Sequence, residues 1–144
     1  MSNQSENIKH EGGCLCGRTR FTVFADPTFA SYCHCDDCRQ STGAAVSAFV
    51  GFDAANLVWQ GEKLKGYKSS AKVTRTFCPE CGTSVSYEDE KLPGKIYIYV
   101  GVMDDPDRFP MTSHSYIVQR LNWLHINDDL PTVDGTAEPR KSDN

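Results

Sequence analysis

Hydrophobic and polar positions alternate in short runs through the middle of the chain. In residues 18–24, Phe21 and Val23 fall on the same face of an extended segment. In residues 45–52, alternate positions are again apolar, namely Val46, Ala48, Val50 and Phe52. A period of two, with β-branched and aromatic side chains, is typical of half-buried strands. These two segments are therefore predicted to be strands.

Further short apolar runs are separated by turn residues, and they predict strands at 57–59, 64–67, 73–77, 95–103 and 116–118. The run at 95–103 (KIYIYVGVM) is the strongest prediction of a buried strand, with Tyr97 and Tyr99 expected in the core. Only two short helical segments are predicted, one at 36–41 with Asp36 as its cap and a turn at 104–108.

Many short strands with turns between them predict a mainly β fold of small antiparallel sheets, with at most short helical turns. One domain is expected over residues 12–131, in keeping with the chain length of 144 residues. Residues 1–11 are polar and are expected to be flexible. The tail at 132–144 has almost no apolar content and is also expected to be flexible.

The net charge of −4 narrows the range of partners. Binding to nucleic acid relies on clustered Lys and Arg, so neither nucleic acid nor an anionic membrane is an expected partner. No apolar run approaches the roughly 20 residues of a membrane span, and the N-terminal residues lack the apolar segment of a signal peptide. A cytoplasmic, reducing location is expected, where cysteine clusters bind metal more often than they form disulfides.

The seven cysteines form three groups, CLCG at 14–17, CHCDDC at 33–38 and CPECG at 78–82. An odd number cannot be paired entirely in intramolecular disulfides. Zinc binds about four thiolate or imidazole ligands in a tetrahedron. The Cys78-Pro79-Glu80-Cys81-Gly82 segment resembles a zinc knuckle, in which Gly82 can adopt a positive φ. Joined to Cys14 and Cys16, it predicts a structural four-thiolate zinc site, called the closed site below.

The middle group, Cys33, Cys35 and Cys38, is called the three-cysteine site below. Three protein ligands with an open fourth position are characteristic of catalytic zinc, so this group predicts a second zinc site that can accept water or a thiol. Exposed sites of this kind lose metal easily, and partial occupancy is expected. Two alternatives stay open: a second structural site completed by His34, Asp36, Asp37 or a distant His, and a redox-labile thiol cluster.

Three further residues are candidates for catalytic roles. Arg39 follows the third sulfur and either holds a substrate carboxylate or is an exposed helix residue. His34, within the three-cysteine site, and His114 are candidates for proton transfer. His114 is equally compatible with a satisfied surface position.

The three cysteine groups, together with His114 and WLHINDDLP at 123–131, resemble the glutathione-dependent formaldehyde-activating enzyme family, which includes the centromere protein V domain. The resemblance covers roughly residues 10–131. It implies the same division into a closed structural site and an active-site group, and a zinc-bridged β-tent type of fold.

The resemblance also implies an activity: a zinc-dependent carbon–sulfur lyase-type reaction like that of S-(hydroxymethyl)glutathione synthase. The expected partners are a small-molecule thiol or aldehyde, with glutathione and formaldehyde as the family's own pair. Two other hypotheses stay beside it, a non-enzymatic zinc-stabilised binding module and a nucleic-acid-binding zinc ribbon. The acidic charge weighs against the ribbon, and an open metal position distinguishes the first two.

Overall fold

A computed structural model describes residues 8–138, which form ten strands, one short helix and four 3₁₀ turns. The strands are β1 (His10–Gly13), β2 (Thr19–Val23), β3 (Phe29–Cys33), β4 (Ser47–Asp53), β5 (Leu57–Gly61), β6 (Lys65–Lys68), β7 (Val73–Phe77), β8 (Ser84–Asp89), β9 (Lys95–Tyr99) and β10 (His114–Ser115). The helix is α1 (Asp36–Thr42), and the 3₁₀ turns are Ala54–Asn56, Val100–Val102, Pro106–Arg108 and Ile117–Gln119.

The strands assemble into a three-stranded sheet and a seven-stranded sheet. The small sheet has the order β1-β2-β5, and the large one has the order β10-β3-β4-β9-β8-β7-β6. All pairs are antiparallel except β10 with β3, which run parallel. The prediction of a mainly β fold with small antiparallel sheets and little helix is confirmed, with this one parallel pair as the exception.

The main core lies where the two sheets meet. Phe21 and Val23 of β2 are fully buried with Val50 and Phe52 of β4. Ile98 of β9 completes the same cluster. Full burial of each such side chain stabilises the fold by about 1.5–3 kcal/mol. The alternation that predicted β2 and β4 therefore corresponds to the side of each strand that faces this core.

A second cluster covers the opposite face of the large sheet. It contains Phe49 of β4, Tyr97 and Tyr99 of β9, and the buried Cys33 and Cys38. Because β4 and β9 lie at the centre of the sheet, they bury side chains on both faces. The sequence of β9 is accordingly almost continuously apolar. In this second cluster, the aromatic side chains of Phe49, Tyr97 and Tyr99 pack with two cysteines of the three-cysteine site.

Two predicted strands end differently in the structure. The run at 95–103 is a strand only to Tyr99, after which Val100–Val102 is a 3₁₀ turn. The segment predicted as a strand at 116–118 is wrong: the strand is His114–Ser115. Tyr116 then adopts a left-handed backbone with φ 54°, which ends the strand and starts the 3₁₀ turn.

Residues from both flanking segments take part in backbone hydrogen bonding within the described residues. His10 and Glu11 belong to β1, paired with β2, so the expected flexibility of 1–11 does not extend to them, and residues 1–7 lie outside the described range. In the tail, backbone bonds join Val133 to His114 and Tyr116 to Gly135. These are backbone hydrogen bonds to the segment that contains β10, and residues 139–144 lie outside the described range.

The N-cap of helix α1 lies one residue before the predicted cap, Asp36. Its N-cap is Cys35, whose sulfur accepts a hydrogen bond from the backbone N–H of Cys38, while Asp36 is the first helical residue. None of the helices within residues 8–138 has the length and apolar character needed to cross a membrane.

Candidate metal centres and active-site cavity

The closed site connects the two sheets. Cys14 and Cys16 lie in the turn between β1 and β2 of the small sheet, and Cys78 and Cys81 lie between β7 and β8 of the large sheet. Leu15 N–H donates to the Thr83 hydroxyl at 3.0 Å, which joins the two turns directly. A metal here would therefore tie together segments that are 62 residues apart in sequence.

The sulfur positions of the closed site fit zinc. Zn–S bonds of about 2.3 Å in a tetrahedron place sulfurs about 3.8 Å apart. The Sγ atoms of Cys14 and Cys16 are 3.5 Å apart, and those of Cys16 and Cys78 are 3.8 Å apart. All four ligand atoms lie within 4.8 Å of one another.

Local backbone geometry also suits thiolates at the closed site. Thr19 N–H donates to Cys14 Sγ at 3.4 Å. The Thr83 side chain, with its backbone, lowers the pKa of Cys81 to about 5. Gly82 has φ 78°, the left-handed conformation expected of it in the knuckle.

The three-cysteine site is assembled by the end of a strand and the start of a helix. Cys33 is the last residue of β3, Cys35 caps α1, and Cys38 is one turn into that helix. The Sγ atoms of Cys33 and Cys35 are 3.4 Å apart, and all three ligand atoms lie within 4.8 Å of one another. Within residues 8–138, no His, Asp or Glu ligand atom joins this group.

Hydrogen bonding among these sulfurs favours a bound cation. Hydrogen bonds from Cys33, which has the larger effect, and from Cys38 lower the pKa of Cys35 to about 2, although burial of Cys35 acts to raise it. The same bonds raise the pKa of Cys33, because its proton is held by Cys35. Three sulfurs this close together are a donor set that a soft divalent cation such as zinc would bind with displacement of their protons.

A cavity of about 390 Å³ lies beside the three-cysteine site. All three cysteines line it, together with Arg75 of β7 and Tyr97 of β9. Its other walls come from Phe29, Ser31, Asp36, Asp37, Phe49, Ser69, Ser70, Val73, Tyr87, Leu92, Ser115, Tyr116, Gln119, Thr136 and Glu138. The volume is that of a small-molecule site.

His34 and His114 come together, but away from this cavity. Both side chains are buried, and neither lines the cavity wall. His34 Nε2 lies 2.9 Å from His114 Nδ1, and His114 Nε2 contacts the carboxylate of Asp128. Burial and then the charge of His114 lower the pKa of His34. The structure therefore places the two candidate proton donors behind residues 33–38, which are called the cysteine loop below.

Arg39 also points away from the cavity. Its Nη1 donates to the carbonyl oxygens of His34 at 2.6 Å and Gln119 at 2.7 Å, and its Nη2 contacts Asp36. The guanidinium thus holds the cysteine loop to the 3₁₀ turn Ile117–Gln119, and it is not among the residues that line the cavity.

Arg75 is the residue that the sequence interpretation missed. Its Nη1 and Nη2 atoms lie 3.7 and 3.8 Å from Cys38 Sγ. The alternation of side chains along β7 could have identified it. Val73, Arg75 and Phe77 fall on the same face of the strand, so the charged residue lies between two apolar ones.

Comparison with known proteins adds a family match. Residues 9–119, which contain all seven cysteines, match the model of a family described as glutathione-dependent formaldehyde-activating enzyme.

Two individual proteins are also similar. A Schizosaccharomyces pombe protein described as an uncharacterized lyase is 31% identical over 87 residues, which are 59% of this chain and 63% of that protein. The match thus spans less than two thirds of the yeast protein. A crystal structure of a Rhodobacter sphaeroides protein is 22% identical with a TM-score of 0.50, covering 85% of this chain and 99% of the other. At that identity the likeness concerns the fold alone.

Proposed function

The chain belongs to the glutathione-dependent formaldehyde-activating enzyme family, and from this premise we propose that it is a zinc-dependent carbon–sulfur lyase-type enzyme. Its reaction would resemble that of S-(hydroxymethyl)glutathione synthase, with a thiol adduct of a small aldehyde as substrate. Two zinc ions are proposed, one at the closed site and one at the three-cysteine site. Family membership favours glutathione as the thiol and formaldehyde as the aldehyde.

The observation that supports this proposal most strongly is the position of the three-cysteine site in the cavity wall. Cys33, Cys35 and Cys38 all line a space of about 390 Å³. Three protein ligands beside such a space leave room for a ligand from solution, as in catalytic zinc sites. The closed site, in contrast, has four cysteine ligands and no need of a further one.

The proposed reaction forms or breaks one carbon–sulfur bond. Zinc held by the three sulfurs would supply a Lewis acid that stabilises a thiolate near neutral pH. The substrate thiolate attacks the carbonyl carbon of the aldehyde, and the electron pair of the C=O bond moves to oxygen. That oxygen takes up the proton that the thiol released. The lyase direction reverses each of these changes.

The chain's own residues would contribute binding, position and exclusion of water. The aromatic and aliphatic side chains of Phe49, Tyr87 and Leu92 line the cavity and limit its water content. We propose that His34, His114 and Arg39 hold the cysteine loop and do not touch substrate, because none of the three lines the cavity. This revises the roles in proton transfer and carboxylate binding that the sequence suggested for them.

The test is turnover of formaldehyde and glutathione by three proteins: the zinc-loaded protein, the metal-free protein and a zinc-loaded Cys35→Ser variant. Because this condensation also proceeds without a catalyst, only the excess over the buffer rate counts. The zinc-loaded protein is expected to exceed the other two. Equal rates in all three would eliminate the enzyme proposal, and thiol binding without turnover would support the binding-module alternative.

A further inference from the structure

Arg75 is a buried cation with an unusual set of partners. It lies at the centre of β7, and only 7% of its surface is exposed. Both terminal nitrogens face Cys38 Sγ, at 3.7 and 3.8 Å. This two-nitrogen approach to one sulfur is the arrangement expected around an anionic acceptor.

The remaining contacts of Arg75 are to neutral groups. Its Nε donates to the Ser69 hydroxyl at 3.0 Å, and Nη1 donates to the hydroxyls of Ser41 and Tyr99, both at 3.1 Å. The guanidinium carbon lies 4.9 Å above the centre of the Tyr87 ring. These contacts fix the orientation of the guanidinium, but none of them neutralises its charge.

A buried charge without an ionic partner is costly. Arg75 has no carboxylate oxygen within 4.0 Å among the described residues, unlike Arg18, Arg20 and Arg39. Among the groups in contact with Arg75, the sulfur of Cys38 is therefore the one that would be anionic once it ligates a metal ion. Arg75 stays protonated at any physiological pH, and a metal-bound thiolate is the partner that its charge requires.

Charge counting shows why the three-cysteine site needs such a partner. Three thiolates and one divalent cation carry a net charge of −1, and a further thiolate from solution would make it −2. At the closed site water can offset negative charge, because Cys16 is exposed. At the three-cysteine site Cys38 is buried, so the compensating charge has to come from the protein.

We propose that Arg75 is the fixed counter-charge of the three-cysteine site, a positioning residue that makes an anionic metal–thiolate centre stable inside the cavity. This inference rests on the proposed zinc at that site, but not on any particular reaction. Arg75 lines the cavity, but its hydrogen bonds go to Cys38, Ser41, Ser69 and Tyr99, and the proposal therefore assigns it to the metal site and not to the substrate.

The test compares zinc binding at the two sites of one chain, so that the closed site is an internal control. Arg75→Met removes the charge and keeps similar length, and Arg75→Lys keeps the charge. Arg18→Met, at an exposed arginine beside the closed site, is the matched control. Zinc stoichiometry and affinity are measured by competition with a chromophoric chelator, and cobalt substitution reports the thiolate-to-metal absorption.

For Arg75→Met, we expect the affinity of one of the two zinc ions to fall by roughly 10- to 100-fold, the size expected for loss of a charged hydrogen-bonding partner. Arg75→Lys should recover most of this loss, and Arg18→Met should retain two tight sites. Unchanged affinity in Arg75→Met, or an equal loss at both sites, would overturn the proposal.

A second experiment covers the case in which Arg75→Met folds poorly. Cys38→Ala leaves Arg75 without its thiolate, so adding Arg75→Met to Cys38→Ala should restore stability towards wild type. If the two losses of stability simply add, Arg75 is not paired with a thiolate and the proposal fails. Selective loss of one zinc in Arg75→Met, together with absent turnover in wild type, would retain this inference and eliminate the proposed enzyme.

Discussion

The Nε2 atom of His34 lies 2.9 Å from the Nδ1 atom of His114, and Asp128 determines which of the two carries the shared proton. His114 Nε2 faces both carboxylate oxygens of Asp128, at 3.0 and 3.1 Å. A carboxylate only accepts, so this Nε2 carries a proton, and in the neutral imidazole of His114 the Nδ1 atom is then an acceptor. His34 Nε2 must then donate. The carboxylate of Asp128 thus determines, through His114, the tautomer of His34 in the cysteine loop.

The first prediction concerns this chain of hydrogen bonds. In Asp128→Ala the buried Nε2–H of His114 loses its acceptor, so the free energy of unfolding should fall by clearly more than in a control substitution at an exposed neighbour. Asp129→Ala, at the exposed neighbouring position, should change it by less than about 0.5 kcal/mol. Denaturant titration of zinc-loaded protein gives both values. Equal effects of the two substitutions would contradict the role assigned to Asp128.

The second prediction separates the two cysteine sites. Cys78→Ser removes a ligand from the site that joins the two sheets, so the domain should lose most of its cooperative unfolding transition. Cys35→Ser should leave the fold largely intact but reduce the zinc content from two ions towards one. Thermal unfolding followed by circular dichroism, with zinc analysis of the same samples, measures both. Similar losses of melting temperature in the two variants would contradict this division.

The third prediction concerns the ion pair between Arg20 and Asp104, neither of which is a predicted metal ligand. Arg20 Nη1 donates to Asp104 Oδ1 at 2.9 Å, and this contact lowers the pKa of Asp104. The ionised carboxyl stabilises the fold above its unfolded-state pKa, and this contribution disappears as the pH falls through the lowered folded-state pKa. Because both side chains are more than a third exposed, we expect at most about 1 kcal/mol.

Asp104→Asn should therefore be less stable than wild type at pH 7, with the difference shrinking as the solution is acidified below pH 4. Comparing the two proteins at each pH cancels any loss of metal that they share. A difference that stays constant with pH would show that Asp104 contributes through packing or neutral hydrogen bonds and not through its charge.

The fourth prediction concerns two glycines with the same backbone conformation. Gly61 has φ 84° and Gly94 has φ 76°. A Cβ at Gly61 would lie 2.1 Å from the Arg18 carbonyl oxygen, whereas at Gly94 it would meet nothing within 4 Å. Gly94→Ala should cost about 1–2 kcal/mol through backbone strain alone. Gly61→Ala should cost clearly more, because β5 must also move away from β2; urea titrations that give equal losses would refute this.

Sequence patterns missed two strands in which small polar side chains occupy buried positions. Strands β3 and β8 were not predicted, because Ser31 and Ser86 occupy buried positions and conceal the alternation. Hydrogen bonds satisfy such hydroxyls: Ser31 Oγ lies 2.9 Å from Ser115 Oγ. That partner is 84 residues away, and no local pattern contains this information.

The candidate site was predictable to the extent that its chemistry is local. The spacing of Cys33, Cys35 and Cys38 places three sulfurs together whatever the rest of the fold does. Arg75 and Glu138 reach the same cavity only through the order of strands in the large sheet and the hydrogen bonds of the tail. Long-range pairing decides such neighbours, and a single sequence does not reveal it.

The position of one cysteine group inside the loop closed by the other has a consequence for biosynthesis. A ribosome releases residues 33–38 well before Cys78 and Cys81, so the three-cysteine site can meet metal while the closed site is still incomplete. The closed site can form only when a loop of about sixty residues has been brought together, at a cost that grows with the logarithm of its length. With zinc at both sites as proposed, cellular zinc supply during translation, and not only affinity in the finished protein, would influence which site is filled first.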